Sequence, residues 1–221
     1  MTWTFAFLGT CTLVGVGVLA SASCKSAYYG TLEKFGVEKR DILVDRVEEG
    51  REAQAEAKEQ FQSALEAFQA LTGFQGGDLE EVYDRLDSEY EDSGERAEEV
   101  NERIESIETV ATDLFAEWKG EIDSMHDAKL KASSRRLLAD TEERYGKLEA
   151  AMKRAASRME PVLTALRDHV LFLKHNLNAR AIAALAGELG TIEDNVGALV
   201  RDMEASIAEA DAFLQSLESQ G

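Results

Sequence analysis

Over residues 28–221, apolar side chains recur at alternating intervals of three and four, a spacing that gathers them on one stripe of an α-helix. A chain patterned this way buries its apolar surface only by packing helix on helix, so the fold class it points to is all-α. The first stretch carries the stripe Leu43, Val47, Gly50, Gln54, Ala57, Phe61, Ala64, Phe68 and Leu71, thin at its centre and strong at its end. It stops at Gly73-Phe-Gln-Gly-Gly77, where glycines supply the left-handed backbone that ends a helix. Asp78 fits the N-cap of the next helix, with Glu81 three residues on in a capping-box pattern.

The second stretch runs Tyr83, Leu86, Tyr90, Ser93, Ala97, Val100, Ile104, Ile107, Ala111, Leu114 and Trp118 without losing step. The stripe lapses between Ser124 and Ser134, where MHDAKLKASS supplies small and polar residues, and a break is expected there. It resumes at Leu138 and continues through Tyr145, Met152, Met159, Val162, Leu166 and His169 to Leu173. Pro161 lies inside this third stretch and the count passes it in step, which predicts a kinked continuous helix lacking one backbone bond, to Ser157. The fourth stretch, Ile182 to Leu217, follows a slip of phase after Asn176; Asn176 and Asn178 are placed to cap a short turn, and a continuous helix with a stammer is the alternative. The expected helices are about residues 28–73, 78–125, 132–175 and 178–219, each roughly 60 to 75 Å long at 1.5 Å per residue. Similar lengths and short connections predict an elongated antiparallel coiled-coil bundle of three to four long helices, one domain over residues 25–221. A single proline and 7% aromatic residues agree, because sheet domains need more turn, β-branched and aromatic residues.

The first 24 residues are a different material. No charged residue precedes Lys25, and Trp3 to Ala22 is apolar or small throughout, as in an export signal or a membrane anchor. Ala20-Ser21-Ala22 resembles a peptidase site. Cys24, preceded by small residues, suits the acylated cysteine of a bacterial lipoprotein, although Ser21 stands where such sites normally carry leucine and no basic residue opens the segment. The expectation is a lipoprotein-type signal peptide over residues 1–24 with Cys24 as the lipidation site; plain secretion and an uncleaved anchor are the alternatives. Cys11 lies inside the apolar segment, so a processed chain keeps at most Cys24 and forms no internal disulfide.

The chain carries 43 acids against 24 bases, a net charge of −19, which counts against nucleic acid or anionic lipid as a partner, since both are bound through clustered Lys and Arg. Residues 78–123 hold 18 acids and 4 bases, whereas residues 127–180 hold 7 acids and 12 bases. The second and third helices are thus complementary when folded as a hairpin. That complementarity sets pairing and orientation more than stability, because a surface pair is worth only about 0–1 kcal/mol. The acidic run Asp84–Glu108 reads first as a solvated helix face. Its functional reading is a docking surface for a basic partner, with Asp84, Glu91, Glu95, Glu98 and Glu102 as the candidate residues.

Constellations that carry chemistry are sparse. None of the three histidines stands in the Glu-x-x-His pair that di-iron bundles use twice. The nearest pattern, Asp123-Ser-Met-His126, falls at an expected turn and has no second copy. His169 takes a seam position, where a buried polar layer that fixes register is the expected role. The sequence lacks a Gly-rich phosphate loop, CxxC, HExxH or G-x-S-x-G, and Gly187, Gly190 and Gly197 fall within a helical pattern where small residues allow close packing. No catalytic residue, cofactor or metal is expected, and an enzyme is not the reading. Tyr28, Tyr29, Leu32 and Phe35 fit either a membrane interface or the first turns of the core stripe.

The segments YYGTLEKFGVEKRDILVDRVEEGR (residues 28–51) and FLKHNLNARAIAALAGE (residues 172–188) resemble a family of Gram-negative bacterial envelope proteins known only as a domain of unknown function, whose members often carry a lipoprotein-type start. The resemblance implies a helical fold and an envelope or periplasmic location, with lipid attachment to the outer membrane favoured, and brings no activity with it. The function expected is that of a noncatalytic, membrane-tethered coiled-coil protein, a scaffold or interaction module engaging a protein partner or a second copy of itself. A BAR-like membrane-shaping module is the alternative, opposed by the acidity. A helical binder of a cationic partner or metal is a third.

Overall fold

The computed structural model describes residues 39–219, which form five helices and no strand. The residues before Lys39, and with them the signal-like segment, Cys24 and the aromatic group Tyr28–Phe35, lie outside the described residues. α1 (Lys39–Thr72) ends where the sequence turns to glycine. Gly76 and Gly77 adopt φ of 145° and 122°, which L side chains rarely reach, and the chain reverses there. Asp78 then caps α2 (Leu79–Ser124), its Oδ1 accepting the N–H groups of Glu80 and Glu81 at 3.0 and 3.3 Å.

The second reversal is tighter than expected. α3 (Ala128–His175) begins four residues before the expected start at residue 132, because Asp127 Oδ1 accepts from Lys129 and Leu130 at 2.8 and 3.0 Å and nucleates the helix ahead of its core-facing residues. α3 runs through Pro161 without interruption. Of the two expectations for residues 175–182, the turn is what forms. Asn176 ends α3, its Nδ2 donating to the Phe172 carbonyl, and Asn178 caps α4 (Ala179–Ala186) through Arg180 and Ala181.

The single fourth helix expected over 178–219 is corrected to two, α4 and α5 (Leu189–Glu218). They part at Gly187–Glu188, where each N–H turns back to the carbonyl three residues earlier, at 3.2 and 2.9 Å. Gly187 and Gly190 flank this break, and each costs a helix about 1 kcal/mol relative to alanine. Close packing is not their role. A Cβ built on Gly190 meets nothing within 4 Å, and at Gly187 and Gly197 the nearest groups are Ala184 and Arg201, a few residues away in the chain.

Packing contacts run around a ring, α1 on α2, α2 on α3, α3 on α5 and α5 on α1, with α4 against α1. Cross-helix pairs give the register. Lys39 meets Glu117 while Gln60 meets Glu89, and Arg51 meets Asp211 while Gln69 meets Glu193, so α1 is antiparallel to both neighbours. Lys119–Glu142 and Lys153–Glu108 make α2 and α3 antiparallel, and Tyr145–Phe213 and Arg158–Asp202 do the same for α3 and α5. This is the up-down-up-down bundle that short connections favour. Every member of the first apolar stripe is buried, Gly50 and Gln54 at its thin centre included. Among the described residues, Gly50 is the glycine used for close approach between helices, since a Cβ there would lie 2.7 Å from Ile107 Cδ1.

Among the described residues, the α2–α3 hairpin extends beyond its neighbours. Lys39, the first residue of α1, sits beside Glu117, and Arg40 donates to the Leu217 carbonyl near the end of α5. Residues 118–124 of α2 and the first two to three turns of α3 therefore continue past the level of Lys39, the first described residue, and of the end of α5. Trp118 Nε1 donates to Ser134 Oγ at 3.0 Å, and Lys131 and Arg135 both reach Asp123, pinning this tip as a two-helix unit.

Candidate functional site

The acidic second helix sorts its carboxylates by direction. Those pointing at neighbours are engaged. Glu89 accepts from Gln60 at 2.7 Å, Glu99 from Arg96 at 2.8 Å, Glu108 from Lys153 at 3.0 Å and Glu117 from Lys39 at 2.5 Å. Arg96 and Lys153 are held above their ordinary values, Arg96 chiefly by its bond to Glu99 and Lys153 by its bonds to Glu149 and Glu108. Asp84, Glu91, Glu95, Glu98 and Glu102 behave differently. All five are exposed, and the ion pairs of α2 pass them by, falling on Glu89, Glu99, Glu108, Glu117 and Asp123. Their intervals of seven, four, three and four residues place them on one outward face. The fold thus presents these five residues together, as an unneutralised acidic stripe about 27 Å long at 1.5 Å per residue.

His169 lies at the edge of the core, half-buried, its ring centroid 5.1 Å from that of Phe68 on α1. Burial holds its imidazole below the ordinary value, against the smaller pull of Glu188 and Asp168. The fully buried polar side chains of the seams are elsewhere, at Gln54, Ser93, Thr141 and Ser206. Ser93 bonds the Glu89 carbonyl and Thr141 that of Leu137, whereas Gln54 Oε1 and Ser206 Oγ have no hydrogen-bond partner. The pairs Arg51–Asp211 and Lys58–Glu204 bracket these two at one level of the α1–α5 seam. The sequence signal for them was present, since both polar residues occupy stripe positions.

Asp123, the first residue of the Asp-x-x-His pattern, spends its carboxylate on Lys131 and Arg135, and His126 is exposed. A shallow charged groove of about 480 Å³ lies between α3 and α5, lined by Asp140, Glu143, Arg144, Lys147, Glu209 and Phe213. Its Glu143 is held below the usual carboxylate range, first by a hydrogen bond from Lys147. Tyr145, packed edge-on against Phe115 and Phe213, has its hydroxyl pushed well above the ordinary range by burial. Neither place brings a nucleophile together with a base.

Residues 28–217 match the family described as Protein of unknown function (DUF2959). The chain belongs to that family. The DUF2959 domain takes in α1 to α4 and all but the end of α5, the acidic stripe and the hairpin tip included. No curated protein matches the chain. Among the described residues of the domain, no helix is long and apolar enough to cross a membrane.

Proposed function

We propose that this DUF2959 domain is a noncatalytic helical module of the cell envelope, held to a membrane by the segment before it and docking a basic protein partner on the outer stripe of α2. The tether is an acylated Cys24, or the apolar run 3–22 itself acting as anchor. The observation that carries the reading is the sorting of α2 carboxylates. A helix that needed its acids only for solubility would leave them scattered, whereas here Glu99, Glu108 and Glu117 are matched by cations and Asp84, Glu91, Glu95, Glu98 and Glu102 share an exposed face. A coherent row of one sign raises the local concentration of an oppositely charged partner and speeds its encounter.

Crosslinking in intact cells tests the docking face. Replacing Asp84 by Asn and Glu91, Glu95, Glu98 and Glu102 by Gln removes the charge while keeping helix and volume, and is expected to abolish a salt-sensitive crosslink to a basic protein. An unchanged crosslinking pattern refutes the surface. Metabolic labelling with a fatty-acid analogue tests the tether; label lost in Cys24→Ser supports acylation, and label retained rules it out.

A further inference from the structure

The hairpin tip carries an arrangement the acidic stripe does not explain. Leu130 is 65% exposed and Leu137 is 37% exposed, seven residues apart and therefore on one side of α3. Lys129 and Arg136 flank them, also seven apart and both exposed. Lys131 and Arg135 turn to Asp123, whereas Lys129 and Arg136 have no carboxylate partner among the described residues. Apolar side chains beside unpaired cations are the composition of a surface that sits at a bilayer interface, leucines toward the acyl chains and cations on headgroup phosphates.

The far end of α3 shows a weaker version, Leu171 and Phe172 near Lys174. The position of Lys39 separates the two ends. α1 begins beside Glu117, at the end from which the tip projects, so the chain arriving from Cys24 joins the bundle there. Residues 25–38 extend at most about 50 Å, which keeps this end close to the membrane that holds the tether. The acidity of the whole molecule does not oppose such a contact. Glu105, the last exposed and unpaired acid on that face of α2, is 13 residues before Trp118. That is about 20 Å along α2, against a Debye length of about 8 Å at physiological salt. Glu117 and Asp123 are paired and Asp127 is a helix cap, which leaves Glu121 as the exposed acid of the tip.

We infer that the α2–α3 tip is a second membrane contact, in which Leu130 and Leu137 enter the interface of an anionic bilayer and Lys129 and Arg136 bind its headgroup phosphates. The inference builds on the tether proposed above and turns a single attachment into a two-point attachment that stands the bundle on its end.

The full chain, carrying a genetically encoded environment-sensitive fluorescent residue in place of Ser133, is reconstituted with vesicles of phosphatidylcholine or of phosphatidylcholine mixed with phosphatidylglycerol. Flotation reads the tether, and quenching of the probe by acyl-brominated lipid reads the tip. Quenching is expected in the anionic vesicles alone, to disappear in Leu130→Glu/Leu137→Glu and in Lys129→Glu/Arg136→Glu while flotation persists, and to survive in Leu171→Glu. A chain that floats with its probe never quenched overturns the tip contact and leaves the tether standing. A chain that is quenched at low salt yet leaves the vesicles at high salt removes the tether and keeps the tip. Equal quenching in neutral vesicles, or a probe already shielded before lipid is added, overturns the inference.

Discussion

Pro161 is the sharpest test of how this bundle is held together. It sits deep inside α3, 33 residues from the N-terminus of that helix and 14 from its C-terminus, where a proline removes one backbone bond and presses its ring on the preceding turn. The cost of proline relative to alanine in a helix interior is about 3 kcal/mol, a net figure that already contains proline's stiffening of the unfolded chain. Two structural facts decide how much of it alanine recovers. Pro161 is exposed, so no packing is lost on truncation, and Ser157, whose carbonyl loses its partner, is exposed too, so water offsets part of the missing bond. Met159 and Val162 on either side are buried, so any backbone shift at residue 161 must be absorbed by the core. Pro161→Ala should therefore stabilise the protein by about 2 kcal/mol, with about 3 kcal/mol as the ceiling. That corresponds to roughly 4 to 12 °C in Tm for a domain of this size. Pro161→Gly should fall about 1 kcal/mol short of alanine. Urea unfolding followed by circular dichroism measures both, with Thr164→Ala, exposed on the same helix, expected within about 0.5 kcal/mol of the parent. If Pro161→Ala leaves stability unchanged or lowers it at an unchanged m-value, the backbone that Pro161 imposes is part of how α3 seats on α2 and α5, and the reasoning from local helix cost fails.

The other expectations concern caps, core and titration. Asp78→Ala leaves the first N–H groups of α2 without their side-chain acceptor and should cost about 1 kcal/mol in the same urea assay, and Asn178→Ala on α4 a similar amount. Leu148, fully buried at the centre of α3, should lose about 2 to 5 kcal/mol on truncation to alanine, whereas Leu171→Ala, nearly half exposed, should lose far less; equal losses would contradict the burial pattern. His169 titrates with a definite sign. Its folded pKa lies below the unfolded value of about 6.5, so its neutral form stabilises the fold above that pH, and this contribution is lost as the pH falls through the folded value. His169→Phe should lessen the fall in stability between about pH 7 and pH 5 relative to the parent, and a steeper fall in the variant would reverse the sign of the assignment.

Sequence periodicity carried the interior a long way. The residues counted at intervals of three and four are, with few exceptions, the buried ones, and the exceptions (Tyr83, Tyr90, Leu114, Trp118, His169 and Leu189) are half-buried. What the count missed is a second row beside it, including Ile42, Ala53, Ala67, Val110, Phe115, Ala151, Val170 and Leu214. A two-helix seam needs one narrow row, but each helix of a closed ring touches two neighbours and must bury a wider face. The break at Gly187–Glu188 was illegible for a different reason. Leu185 and Leu189 keep the interval of four across it, so the apolar count runs straight through, and only the low helix propensity of Gly187 and Gly190 marks the place. The early start of α3 was hidden because Ala128, Lys129 and Leu130 are exposed and carry no stripe, while Asp127 acts on the backbone alone. For the candidate surface, the sequence supplied the five acids and helical geometry supplied their common face. The tip was unreadable, since the exposure of Leu130 and Leu137 depends on how the helices are staggered in the bundle.

Charge and apolar pattern divide the work in this fold. The net charges of α2 and α3 are opposite, yet their direct pairs are few: Lys153 with Glu108, Lys119 with Glu142 in the reverse sense, and two cations on Asp123 at the tip. Arg136, Arg144, Arg154, Arg167 and Lys174 of α3 are exposed and take no partner on α2. The ring of buried side chains is therefore what selects the neighbours and their register, because a one-turn slip would displace a whole seam whereas the loss of any exposed pair costs about 0–1 kcal/mol. Charges that are not needed to close the bundle stay on its outside and keep their fields. On α2 they form one long negative face, and at the start of α3 they leave two cations beside two uncovered leucines. The separation of these surfaces along the helix axis, by more than the screening length, keeps the negative field of one from cancelling the positive field of the other.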